Sequence, residues 1–234
     1  MSLLEVNDIS IYYEDALILN KVSLKIEQGE IVCILGRNGV GKTTLLKGIV
    51  GLAPPRAGNI LFDGEEISGK APYQAVRKGI SYIPQGREIF PDLTVLENLK
   101  LGTFITGKNN IPIAAEIFQY FPFLEERKKD KASRLSGGQQ QMLAIARGLT
   151  GNPRIMLLDE PTEGIQPSII KTISTIVREL NSKKGIAILL VEQNVDVALN
   201  LSTRGYILEK GKVVCEGPVN SIKEDSIVKN YLAV

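Results

Sequence analysis

The sequence predicts an α/β fold: a mainly parallel sheet with helices on both faces, an N-terminal β subdomain and an inserted helical subdomain. Three observations lead there. The apolar run Ile31-Val32-Cys33-Ile34-Leu35 is followed by a glycine-rich turn and a helical pattern from Lys42. From Arg154 onward, short apolar runs alternate with a long amphipathic stretch, which is the rhythm of a strand–helix–strand unit. Between these regions, about residues 86–152, the pattern turns mostly helical.

Residues 3–35 read as β-rich. Apolar side chains alternate at Val6, Ile9 and Ile11, and again at Val22, Leu24 and Ile26, as in half-buried strands. A helix is expected from Lys42 to about Val50, closed by Gly51 and Pro54-Pro55, with short strands at 59–62 and 80–84. Thr94 and Glu97 form a capping box that opens a helix, and 113–121 and 137–149 carry further helical patterns. A strand at 155–159 is followed by a helix with Ile169, Ile173, Ile176, Val177 and Leu180 on its apolar face. Gly185 breaks that helix before a strand from Ile186 to Val191. The end, 205–234, reads as a short hairpin around Lys210-Gly211-Lys212 and then small helices. The chain, 1–234, is expected to be one domain with the helical subdomain inside it.

Composition narrows the chemistry. The 234 residues are 44% hydrophobic and 23% charged, enough apolar content for a sizeable core. Net charge is +2, too small to grip a nucleic-acid backbone, so no direct nucleic-acid partner is expected. The two cysteines, Cys33 and Cys215, and the absence of histidine argue against a disulfide framework and a zinc site. No run approaches the roughly 18 apolar residues that cross a bilayer, and no signal peptide is visible. Work at a membrane would need other chains to span it.

Three motifs carry phosphate chemistry. Gly36-Arg37-Asn38-Gly39-Val40-Gly41-Lys42-Thr43, with Thr44 next, fits a phosphate loop between an apolar strand and a helix. Its glycines let backbone N–H groups point at the phosphates, Lys42 adds a point charge, and Thr43 offers a hydroxyl to Mg²⁺. Ile155-Met156-Leu157-Leu158-Asp159-Glu160 is a buried strand ending in two acids, although an apolar strand needs none at its tip. Beside a phosphate loop, Asp159 is placed to hold the magnesium shell and Glu160 to polarise the attacking water. Neighbours on a strand face opposite ways, so the two acids are expected to have different jobs. In Leu135-Ser136-Gly137-Gly138-Gln139, Ser136 and Gln139 read as a capping box for helix 137–149. Capping does not explain two glycines, whereas a seat for a terminal phosphate at a helix N-terminus does.

In this order the motifs resemble those of the ABC ATPases, P-loop NTPases, over essentially the whole chain. The resemblance implies that ATP and Mg²⁺ bind here. It makes Tyr13 the aromatic that stacks on adenine, with Tyr12 as the alternative. Gln85, in Tyr82-Ile83-Pro84-Gln85-Gly86, becomes the glutamine that touches Mg²⁺ and water. It further implies a head-to-tail pair of ATPase subunits, with Ser136, Gly137, Gly138 and Gln139 of one completing the site of the other. Whether the pair is two copies or one copy with a sister chain stays open.

Pro84-Gln85-Gly86-Arg87, Ile89-Phe90-Pro91-Asp92-Leu93-Thr94-Val95, Glu163-Gly164-Ile165-Gln166-Pro167 and Leu190-Val191-Glu192-Gln193-Asn194 are similar to the branched-chain amino-acid (Liv) importer ATPases, most of all the F type. That implies a peripheral subunit on the cytoplasmic face of the cell membrane, integral membrane permeases, and a periplasmic or extracellular solute-binding protein. Two positions depart from the wider pattern: Gln166 stands where aspartate is usual, and Gln193 where a switch histidine is usual. The competing readings are another importer's ATPase, a regulatory nucleotide-binding subunit, and a soluble ABC protein of translation or repair. The last usually has two modules or a long coiled-coil insert, and neither is seen here.

Overall fold

Two sheets organise the chain, of which the computed structural model describes residues 2–104, 113 and 115–224. Strands β1 (Ser2–Tyr13), β2 (Ala16–Glu27), β4 (Ala57–Phe62) and β5 (Glu65–Glu66) form an antiparallel sheet in the order β2-β1-β4-β5. The second sheet holds β3 (Ile31–Leu35), β6 (Ile80–Ile83), β7 (Ile155–Asp159), β8 (Ala187–Glu192), β9 (Arg204–Glu209) and β10 (Lys212–Pro218). Its order is β10-β9-β3-β8-β7-β6, and it is parallel except where β10 meets β9. The β-rich stretch 3–35 is therefore split, because β3 leaves its neighbours to join the parallel sheet.

The helices are α1 (Lys42–Val50), α2 (Pro72–Arg77), α3 (Val95–Thr103), α4 (Ala115–Tyr120), α5 (Pro122–Glu126), α6 (Gly137–Leu149), α7 (Pro167–Lys184), α8 (Val195–Leu201) and α9 (Val219–Glu224). The expected helix over 113–121 is described from Ala115 and stops at Tyr120. Pro122 opens α5 and drives Phe121 out of helical conformation, to φ −131 and ψ 65. Of the small helices expected at the end, α9 is described, and residues 225–234 lie outside the described residues.

The central strands are apolar throughout because both of their faces are buried. On β7, Ile155 and Leu157 join a core shared with β1, β2, β4 and the α1 residues Leu45, Leu46 and Ile49. Met156 and Leu158 join the opposite core, with Leu99 of α3, Leu143 of α6 and Ile173, Val177 and Leu180 of α7. Each such fully buried Leu or Ile contributes roughly 1.5–3 kcal/mol. Helices were expected on both faces. Helices do lie on both, and on one face α1 is joined by the antiparallel sheet, which can bury apolar residues on its inner side alone and so keeps an alternating sequence. A third, smaller core packs Cys33 and Leu35 on Ala198, Leu199, Ile207 and Ile222. Burial pushes the Cys33 thiol up to about 11, which leaves it an inert core residue.

Candidate nucleotide site

The parallel sheet sets three adjacent strand ends side by side: β3, β8 and β7. Ligands of open α/β sheets gather at the carboxyl ends of such strands. The loop 36–41 follows β3, and Gly39 and Gly41 take φ 78° and 107°, which L side chains rarely adopt. A Cβ on Gly41 would stand 2.6 Å from Leu19 Cδ2, so the loop also needs glycine for space. Gly41 caps α1 without a side-chain bond, which leaves the first amides of the helix to an anion. Lys42 is 4% exposed, and its Nζ donates to the carbonyls of Gly36 (2.9 Å) and Arg37 (3.0 Å). Gly36 packs under Leu208, and Val40 lies against the core.

A cleft of about 400 Å³ opens over this loop. Asn38, Gly39, Gly41, Lys42, Thr43 and Thr44 form its floor, and Tyr13, Ile18, Gln85 and Glu160 form its walls. Tyr13 is nearly half exposed on one wall, whereas the ring of Tyr12 is covered by the Arg56 guanidinium at 4.7 Å.

The two acids have different partners, and the turn at Glu160 rather than strand alternation separates them. Glu160 lies just past β7 with φ 48°, a left-handed turn that costs on the order of 1 kcal/mol and is held by its N–H on the Val191 carbonyl at 2.8 Å. Asp159 accepts from the Thr43 hydroxyl and the Tyr82 hydroxyl, both at 3.1 Å, and burial raises its carboxyl above the usual range. Burial, reinforced by Asp159, pushes the Tyr82 phenol far up and keeps it a donor. Glu160 Oε1 stands 3.3 Å from Lys42 Nζ, while its Oε2 accepts from Gln193 Nε2 at 2.6 Å and Gln85 Nε2 at 3.3 Å. Gln85 also donates to Glu163 at 2.8 Å. Asn194, not Gln193, caps α8, accepting from Val197 N–H at 3.1 Å, so Gln193 is not spent on the helix.

Ser136 and Gln139 form the reciprocal capping box at the start of α6. The glycine pair has steric reasons inside the chain: a Cβ on Gly138 would meet Ile169 Cγ2 of α7 at 2.7 Å, and one on Gly137 would meet the Arg87 guanidinium. None of residues 136–139 lines the cleft. Gln166 precedes α7 and makes no capping bond.

Sequence reasoning passed over Ile18, Tyr82, Thr162 and Glu192. Glu192 is 2% exposed, and it accepts from the N–H (3.0 Å) and hydroxyl (2.7 Å) of Thr162, pinning the turn after Glu160. Burial raises its carboxyl too. The signal was available, since Glu192 ends an apolar strand just as Asp159 does. Among the described residues, no cluster of three or more His, Cys, Asp or Glu could hold a metal, and no helix is long and apolar enough to cross a membrane.

A family model described as "ABC transporter" matches residues 19–163. The chain is 41% identical over 213 residues, 91% of each protein, to the high-affinity branched-chain amino acid transport ATP-binding protein BraG of Pseudomonas aeruginosa. It is 38% identical to the probable branched-chain amino acid transport ATP-binding protein LivF of Archaeoglobus fulgidus, covering 91% of this chain and 90% of the relative. Among solved structures, it superposes with TM-score 0.83 and 28% identity on the dimeric, post-hydrolysis ATP-binding cassette MJ0796 bound to ADP and Pi, covering 92% of this chain and 98% of that one.

Proposed function

The chain belongs to the ABC transporter family as an ATP-binding, ATP-hydrolysing subunit, and from that premise we propose that it drives uptake of branched-chain or related amino acids across a membrane. The observation that carries the chemistry is the pairing of buried Lys42 and Glu160 at 3.3 Å on the cleft wall, with Gln193 and Gln85 on the other carboxylate oxygen. Lys42 and the amides of Gly39–Thr44 would hold the phosphates, and Tyr13 would stack on the adenine. Glu160 would take the proton of the attacking water, and Gln193 would hold that water or the γ-phosphate in place. Glutamine cannot titrate, so its contribution is positional.

The donor set beside the loop fits Mg²⁺: a hydroxyl (Thr43), a buried carboxylate (Asp159) and an amide oxygen (Gln85) are hard oxygen ligands. Magnesium needs one or two carboxylates when phosphates supply the rest. When bound, the ion would neutralise phosphate charge.

Gln193→Ala is expected to lower ATP turnover roughly 10- to 150-fold, the equivalent of a charged hydrogen bond of about 1.5–3 kcal/mol, with ATP binding changed far less. Steady-state phosphate release with the partner subunits present measures it, and turnover like that of the wild type would remove Gln193 from the site.

The whole chain acts as one domain in this reading, and residues of about 86–152, as a helical subdomain, carry the Ser136–Gln139 seat. That seat lies outside the cleft, which supports a head-to-tail ATPase pair in which it serves the partner's nucleotide. A relative that is dimeric with ADP and Pi bound supports the pairing itself. An integral membrane permease would seat in the groove of about 340 Å³ flanked by exposed Leu52 and Phe90. Arg147 lines that groove, and its Nη1 is buried without a hydrogen-bond partner among the described residues. The subunit would be peripheral at the cytoplasmic face, with a solute-binding protein on the far side. Uptake of radiolabelled leucine, isoleucine and valine tests the solute. Cells lacking the gene should lose uptake, and the wild-type gene should restore it where Lys42→Ala does not. Unchanged uptake in the deleted strain contradicts the assignment.

A further inference from the structure

Gly86, Arg87 and Glu88 follow the cleft glutamine Gln85, and all three have positive φ, at 81°, 74° and 42°. Glycine accepts this without cost, but arginine and glutamate do not, and two such residues in a row persist only when contacts elsewhere hold them. One such contact lies within the turn, where Glu88 N–H donates to the Gly86 carbonyl at 2.9 Å. The other leaves it: Arg87 Nη1 donates to Gln140 Oε1 of α6 at 3.2 Å. The half-buried guanidinium also covers Gly137, where an added Cβ would stand 2.9 Å from Nη2 and 3.0 Å from Nη1. On its other side the turn continues into Gln85, whose amide reaches Glu160 and Glu163. A continuous path thus runs from the first turn of α6, through Arg87 and a strained turn, to the carboxylate beside Lys42.

We infer that Arg87 is a positioning residue that ties the Gln85 turn to the start of α6, and that Gly137 lacks a side chain because the Arg87 guanidinium occupies its space. The inference rests on the reading of Glu160 as the base, since Arg87 acts on turnover only through Gln85 and Glu160. An arginine suits this role because its planar fork can lie flat on a bare backbone while one nitrogen donates to Gln140. Gly137 also belongs to the seat for the partner's nucleotide, so the tie is probed at its acceptor: Gln140→Leu keeps the bulk and helix preference of the residue and removes the oxygen that Arg87 donates to. The two substitutions, Arg87→Ala and Gln140→Leu, should therefore remove the same hydrogen bond from opposite ends.

A double-mutant cycle tests this. Arg87→Ala and Gln140→Leu should each lower kcat about tenfold, with the KM for ATP within about twofold, in the subunit assayed with its partners. The double variant should be no slower than the slower single one. Losses that multiply, to about a hundredfold, would mean independent roles and overturn the inference. A steep rise in KM at constant kcat would make Arg87 a nucleotide ligand and also overturn it. Absence of turnover in the wild type would fail the ATPase reading instead, and hydrogen exchange on the purified chain then decides. Both single variants should speed exchange of the Glu88 amide about tenfold, and unchanged exchange would overturn the link.

Discussion

Replacing Glu160 with glutamine should stop hydrolysis and spare ATP binding. The amide keeps the size and planar shape of the carboxylate and can still bond Gln193 and Gln85, so the wall of the cleft keeps its form. What disappears is the negative charge 3.3 Å from Lys42 and the basic oxygen that would take a proton from water. General-base catalysis is worth about 10²–10⁴-fold, so phosphate release by Glu160→Gln should fall by that factor. Nucleotide binding should be equal or tighter, because Lys42 loses a competing anion, and ATP held unhydrolysed should stabilise the dimer. Phosphate release, equilibrium binding and sizing in ATP measure the three effects. A variant that keeps most of its turnover would place the base elsewhere.

Much of this fold is legible locally. The phosphate loop lies between β3 and α1 with the bounds its pattern sets, because strand, glycines and helix cap are neighbours in sequence. The same holds for α6, whose capping box Ser136 and Gln139 sit three residues apart. The two-residue β5 and the six-residue α2 leave no sequence signal, since neither is long enough to show a period. Nor does local pattern say that β3 would leave β1 and β2 for another sheet, because strand partners are settled by tertiary burial. The site shows the same divide. Asp159 and Glu160 stand out as acids at an apolar strand end, but the Tyr82 bond to Asp159 joins residues 77 positions apart, and no spacing rule reaches that far. Glu160's left-handed turn depends on the Val191 carbonyl of the neighbouring strand. For Gln85 and Gln193 the residue types alone said little, and the order of motifs within a family carried the expectation.

The central claim is that one ATP is hydrolysed where the cleft of one chain meets the Ser136–Gln139 seat of another, since those residues lie outside the chain's own cleft. Two lesions separate the half-sites. Lys42→Ala removes the buried cation of the phosphate loop, and Ser136→Arg fills the seat and breaks the cap of α6. Each variant alone should be inactive, because every site in its dimer carries one lesion. In a mixed dimer of two copies, one site carries both lesions and the other carries neither. Random pairing therefore leaves about a quarter of all sites intact. The deciding measurement is ATP turnover of the mixed variants, with dimers verified by sizing. Activity returning on mixing, up to about a quarter of the wild-type rate, is the predicted result. Mixed dimers that form yet stay inactive would contradict the shared site.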